Sequence, residues 1–331
     1  MIASHWRAIL HVVRWDSTWT PPRCGGAMQY LNMDMHVHSC FSVEAIPGLR
    51  DVTFSPKETP DELYESAKAR AMDFVTITDH DTIDGCLDFM ARHPEVEDFV
   101  VGEEVSTELP VSKLTVHINV YGHDRRQHEE LQRRRGDAFA VAEYCGAKGL
   151  FFVWNHPFYR ENLSTIEEEE FMRLVANVPV IEVRNGGRMQ VLNVLAEELA
   201  VREGKAMQGG SDTHTGNIGS VYTAVPCEDL AGFFAGILAR TSRIVGHHST
   251  RRNFLLHNYL AGRRHVVDLN CRRMTSPLQR VRMRGLGVLA FAFSPWVVRR
   301  HFRNQIDMAR IALSTLKAFG HLNEALLLDA A

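Results

Sequence analysis

The chain has 331 residues, 45% of them apolar and 23% charged, with a formal net charge of only −3, enough for one large domain or two ordinary ones with a substantial core. It contains no run of eighteen apolar residues, no small-residue cleavage site near its start and no CxxC among its six scattered cysteines. These features argue against a membrane-spanning helix, a secretory signal and a disulfide framework, and for a cytoplasmic protein with reduced thiols. The near-neutral total hides an asymmetry: Asp34 to Ala239 holds 18 Lys and Arg against 35 Asp and Glu, whereas Arg240 to Ala331 holds 16 against 4. Seventeen histidines are the other compositional oddity.

Residues 1–32 carry three Trp, a Pro-Pro and a Gly-Gly but no sustained period, and read as an extension. A regular alternation follows. Strands are predicted at Asn32–Val37, Asp73–Thr78, Phe99–Val105, Leu114–Tyr121, Leu150–Trp154, Val180–Val183 and Ala206–Gly209. Helices are predicted at Pro60–Ala71, Thr82–Arg92, Arg125–Lys148, Ile166–Ala176, Gln190–Glu203 and Glu228–Arg240. Thr59-Pro60-Asp61-Glu62 supplies an N-cap, a proline at the first helical position and the Glu of a capping box. Strands alternating with helices imply a mainly parallel sheet covered by helices, either a barrel or an open doubly wound sheet. The domain expected at 33–240 is followed by a basic, mainly helical region at 241–331.

In such folds ligand groups collect at the carboxyl ends of the strands. Strand one ends in Asp34-Met35-His36-Val37-His38, and alternation puts His36 and His38 on one side. The second ends in Thr78-Asp79-His80, the third in Gly102-Glu103-Glu104-Val105-Ser106, the fifth in Asn155-His156-Pro157 and the last in Ser211-Asp212-Thr213-His214; the fourth carries His117 within it. A single His at a strand end is usually a satisfied polar residue. Six such features at matching topological positions point to a metal site. Imidazoles and carboxylates without thiolates favour Zn, Mn or Fe, and the number of candidate ligands suits two or three divalent ions sharing a carboxylate better than one. Glu103 alternates away from Glu104 and is read as structural, and His123 and His128 as solvated.

This ordered set resembles the PHP (polymerase and histidinol phosphatase) family, and the resemblance covers about residues 33–226. Asp34, His36 and His38 match the family's opening DxHxH. Thr78-Asp79-His80, the Gly102/Glu104/Ser106 element, His117, His156-Pro157 and the closing Ser211-Asp212-x-His214 follow in order. The resemblance implies a distorted (β/α)7 TIM-like barrel with a trinuclear centre. One ion would take His36, His38, Glu104 and Asp212, a second Glu104, His117 and His156, and a third His80, His214 and a group in the loop after strand one. Glu44 is the choice for that group, a departure from the Asp or His found there in relatives. Asp34 and Asp79 are expected to orient ligating imidazoles from behind.

Clustered cations would acidify a bridging water and clamp the attacking and leaving oxygens at phosphorus, with Glu104, Asp212 and His36 closest to the chemistry. Arg160, Arg184 and Arg188 are candidate phosphate clamps, their forked guanidinium groups suiting phosphate oxygens. The expected activity is hydrolysis of a phosphate ester: a nucleotide, another small phosphomonoester or short nucleic-acid ends. An amidohydrolase-type hydrolase ranks second, because no Lys ends a strand where a carboxylated one would be needed. A non-catalytic, nucleic-acid-associated module ranks third. The basic tail is a candidate for contact with nucleic acid or for pairing with the acidic body.

Overall fold

The computed structural model describes residues 29–45, 53–159 and 167–247, together with 303, 306–308 and 310–314. Residues 1–28, Arg160 and most of the basic C-terminal region, with the nucleic-acid contact expected of it, lie outside the described residues.

The order is β1 (Tyr30–Met33), β2 (Glu44–Ala45), β3 (Thr53–Phe54), α1 (Pro60–Ala69), β4 (Val75–Ile77), α2 (Asp84–Arg92), β5 (Phe99–Glu108), β6 (Thr115–Tyr121), α3 (Arg125–Arg134), α4 (Ala138–Lys148), β7 (Phe151–Trp154), α5 (Glu168–Asn177), β8 (Val180–Asn185), α6 (Gln190–Arg202), β9 (Ala206–Gly210), β10 (Val221–Pro226), α7 (Leu230–Leu238) and β11 (Arg243–Gly246). Thr59 caps α1 as its sequence implies, with both halves of the capping box formed. The single helix expected at 125–148 is two helices. The chain breaks at Gly136 because Asp137 starts a new helix, its carboxylate accepting from the amides of Phe139 and Ala140.

Strands β4 to β9 form one six-stranded sheet in chain order. β6 departs from the expected parallel arrangement, running antiparallel to both β5 and β7. The turn from β5 to β6 is too short for the crossover that parallel pairing needs. Reversal has a consequence for chemistry: the amino end of β6, which carries His117, lies beside the carboxyl ends of its neighbours, with His117 paired to Ser106.

The sheet curls until one segment bridges its two edges. The amide of Thr78, after β4, donates to the Val37 carbonyl at 2.7 Å, while the Asp212 amide, after β9, donates to the His36 carbonyl at 2.7 Å. Such close approach requires glycine. A Cβ on Gly210 would lie 2.5 Å from the His36 Cβ and 2.6 Å from its backbone nitrogen.

Apolar side chains pack at the amino ends of the strands and on the outside of this sheet. At the amino ends of the strands, Val100, Val153, Val180 and Ala206 meet Phe233 and Ile237 of α7. Outside, the sheet packs on α4, α5 and α6, with Trp154 edge-on to Phe171 at 5.1 Å. Met308 and Ala312, from the C-terminal region, are buried in that same outer cluster. β1, β10 and β11 form a second, antiparallel sheet not foreseen in its last two strands. No helix among the described residues is long and apolar enough to cross a membrane.

Candidate metal centre

The residues left for the carboxyl ends of the strands are polar and buried. His36, His38, Glu104 and Asp212 are each at most 4% exposed, and His117 and His156 at most 7%. The folding that gathers them is strained: His156 and Asp212 sit in the left-handed region, with φ of 27° and 49°. For non-glycine residues this costs about 1–3 kcal/mol each and concentrates at functional sites.

Glu104 is the hub. Its Oε2 lies 3.0 Å from His36 Nε2, 3.2 Å from His38 Nε2 and 3.4 Å from His80 Nδ1. Its Oε1 lies 3.1 Å from His117 Nδ1 and 3.3 Å from His156 Nε2 and accepts a hydrogen bond from the Asn155 amide at 2.9 Å. Asp212 Oδ1 faces His38 Nε2 at 3.3 Å and His36 Nε2 and His214 Nδ1 at 3.6 Å. Five imidazoles around one carboxylate exceed what hydrogen bonding can satisfy. His38 Nε2 and His156 Nε2 are buried without a well-aligned hydrogen bond, and buried polar groups are rarely left so. Divalent ions fit this donor set. His36, His38 and Glu104 form one group with ligand atoms mutually within 4.8 Å; His80, Glu104 and His117 form a second, and His38, His80 and His214 a third.

The electrostatics agree. Burial disfavours charge on His36 and His38, but Glu104 and Asp212 outweigh it, carrying His36 well above the ordinary imidazole value and His38 to about 9. Burial likewise resists charge on Glu104 and Asp212. For Glu104 the surrounding imidazoles prevail, and for Asp212 Arg188 with its imidazoles, so that both carboxyls are held well below the usual range. The pocket is therefore built to hold positive charge against two permanent anions.

The group that orients an imidazole from behind is Glu182, a residue not singled out in the sequence. Its Oε1 lies 2.9 Å from His36 Nδ1, which leaves Nε2 for the centre, and its Oε2 accepts from the His156 amide and the Asn185 side chain. Asp34 and Asp79, expected in that role, hold backbone instead. Asp34 accepts the amides of Ser211 and Gly219, and burial pushes its carboxyl up to about 6 against those bonds. Asp79 accepts the amide and hydroxyl of Ser39, both at 2.6 Å. Glu182→Gln is expected to weaken metal binding by about 10–100-fold, the usual penalty for losing such an outer partner, measurable by competition with a chelator. Unchanged affinity would remove Glu182 from the centre.

The candidate phosphate clamps separate. Arg188 is at the site: its guanidinium lies 3.0 Å from Asp212 Oδ2 and stacks 3.7 Å from the Tyr159 ring centroid. Arg184 is not, because a bulge between Glu182 and Arg184 shifts the register of β8 and sends its guanidinium to the carbonyls of Ile244 and Gly246 on β11. Arg160 lies outside the described residues, and so does the side chain of Glu44, whose backbone forms β2. His123 and His128, expected in solvent, pack against Glu103.

No family model and no curated protein matches the sequence. Among solved structures, the chain is similar to a two-domain protein from Bacteroides vulgatus containing a predicted PHP-like metal-dependent phosphoesterase, at 17% identity and a TM-score of 0.51, over 74% of this chain and 73% of that one. The chain has a PHP-like fold. It is also similar to PsfC from Pseudomonas syringae, at 18% identity and a TM-score of 0.50, over 71% of this chain and 98% of that one. The fold accounts for where the candidate ligands stand: on the 34–38 segment, toward the carboxyl ends of β4, β5, β7 and β9, and at the amino end of β6.

Proposed function

We propose that the chain is a metal-dependent phosphoesterase acting on a small phosphate ester, a nucleotide or comparable phosphomonoester. The reading includes a seven-stranded barrel, closed by the 34–38 segment between β4 and β9, and two or three Zn, Mn or Fe ions. The observation that carries it is the crowding of five imidazoles around the Glu104 carboxylate, with Asp212 as the second anion. His36, His38, Glu104 and Asp212 would hold one ion, Glu104 with His117 and His156 a second, and His80 with His214 would hold a third. Bound there, such ions supply Lewis acidity toward a phosphoryl oxygen and a water acidified into the neutral range.

The protein's own groups do the rest. Glu182 fixes the tautomer of His36, and Asn155 and Asn185 hold Glu104 and Asp212 at the angle the ligand set needs. Arg188, half-buried and braced by Tyr159, holds a cationic fork beside Asp212 and would offer its remaining N–H groups to a phosphate oxygen of the ester. The scattered cysteines, with Cys86, Cys145 and Cys227 as buried thiols, accord with a cytoplasmic setting.

The test is phosphate release from a panel of mono- and diesters by the Mn- or Zn-loaded full chain, beside Arg188→Ala. Hydrolysis of monoesters is expected, with kcat/KM in the variant lowered by about 10–100-fold, since bonds to charged groups contribute about 1.5–3 kcal/mol. A loaded protein that releases no phosphate but cleaves amide substrates would replace this reading with the amidohydrolase one.

A further inference from the structure

The face of β5 opposite Glu104 carries a second convergence of ligand-type side chains that the centre does not use. Glu103 is fully buried on β5, His123 is fully buried in the turn before α3, and His128 is 15% exposed on α3. His123 Nε2 lies 3.0 Å and His128 Nδ1 2.8 Å from the same oxygen, Glu103 Oε2. The other oxygen is occupied, accepting the side-chain amide of Gln132 one turn further along α3. The three ligand atoms lie mutually within 4.8 Å. The arrangement repeats in miniature what surrounds Glu104: imidazole nitrogens crowding one buried carboxylate oxygen. No Lys or Arg forms an ion pair with Glu103 among the described residues, and a buried carboxylate is stabilised by a cation or by hydrogen-bond donors close by.

We propose that Glu103, His123 and His128 form a separate zinc site that ties α3 to β5. Two imidazoles and a carboxylate are a zinc ligand set, and bonds of about 2.0–2.2 Å place tetrahedral ligand atoms roughly 3.3–3.6 Å apart. The two imidazole nitrogens, 3.0 and 2.8 Å from Oε2, need to open by about 0.3–0.8 Å, and His128, at the solvent edge of the site, can supply its share by a small rotation. That edge also admits a water as fourth ligand, and the Gln132 amide keeps the carboxylate turned so that Oε2 faces the ion. Protons would satisfy the same contacts, with His123 bonded through Nε2–H and His128 through Nδ1–H; the experiment separates the two states.

The full-length chain is stripped of metal, then titrated with Zn(II) alone and counted for bound ions after removal of the excess, beside His128→Gln and Glu104→Gln. The wild type is expected to bind about one ion more than His128→Gln, and Glu104→Gln to keep that His128-dependent ion. Equal zinc content in wild type and His128→Gln would overturn the proposal. Should His128→Gln fail to fold, anomalous scattering at the zinc edge from wild-type crystals decides it: a peak among Glu103, His123 and His128 supports the site, and no peak there refutes it. Neither readout uses phosphoesterase activity, so this inference fails or stands independently of the proposed reaction.

Discussion

Glu104→Gln is expected to lower phosphate-ester hydrolysis by about 10³-fold or more while leaving the fold intact. The substitution keeps the size of the side chain and removes the charge on which five imidazoles converge. An amide can offer only one carbonyl oxygen to the centre, so ions that share the carboxylate lose a bridging ligand together. The expected magnitude follows from the several kcal/mol that metal ions contribute to charge stabilisation at the transition state, each 1.36 kcal/mol being about tenfold in rate. Stopped assays on the metal-loaded variant, with circular dichroism to confirm folding, measure it. Activity within tenfold of the wild type would show that Glu104 is not the hub. A milder effect is expected at Asn155, which only orients Glu104 through one hydrogen bond.

Gly210→Ala is expected to destabilise the chain by about 1–3 kcal/mol, the range for forcing extra volume into a close-packed contact, and to weaken metal binding with it. Its added Cβ would meet the His36 Cβ and backbone nitrogen at 2.5 and 2.6 Å, and neither neighbour is a flexible side-chain end. The His36 backbone would have to move away from β9, carrying a ligand with it. Gly146→Ala is the control. That residue lies inside α4 with nothing within 4 Å of its would-be Cβ, so the change should stabilise by up to about 1 kcal/mol through helix propensity. Urea denaturation of both variants checks the pair. Equal effects, or a neutral Gly210→Ala, would mean that the 34–38 segment does not hold the sheet edges together.

Much of the centre was legible in the sequence because parallel strands flanked by helices end at one face. Polar residues that close successive apolar runs therefore share a site whatever their separation in sequence. His36, His38, His80, Glu104, His117, His156, Asp212 and His214 were found that way, and the structure brings them together. What was missed lacks a local signature. Glu182 sits inside an apolar strand as a lone polar residue, and its contact to His36 spans 146 residues. The loss of Arg184 to β11 depends on a bulge that alternation alone does not foresee. The reversal of β6 follows from its short connection to β5, whereas the alternation of strands with helices implies a mainly parallel sheet. Glu103, His123 and His128 carry no joint signature in the sequence; only the packing of α3 on β5 makes them one group.

The near-neutral total charge also changes meaning. Six of the nine histidines in the acidic body belong to the centre, and the other three include the pair on Glu103. Eight of the seventeen histidines thus stand in two convergent clusters of the acidic body.

The most direct test of the central claim is a crystal structure of the chain loaded with Mn or Zn and inorganic phosphate, with anomalous data to locate the ions. The account predicts at least two ions about 2.0–2.3 Å from the two oxygens of Glu104, with Asp212 on one of them and the phosphate between the ions and Arg188. Density showing Glu104 still enclosed by hydrogen-bonded imidazoles, with no ion on either oxygen, would contradict it.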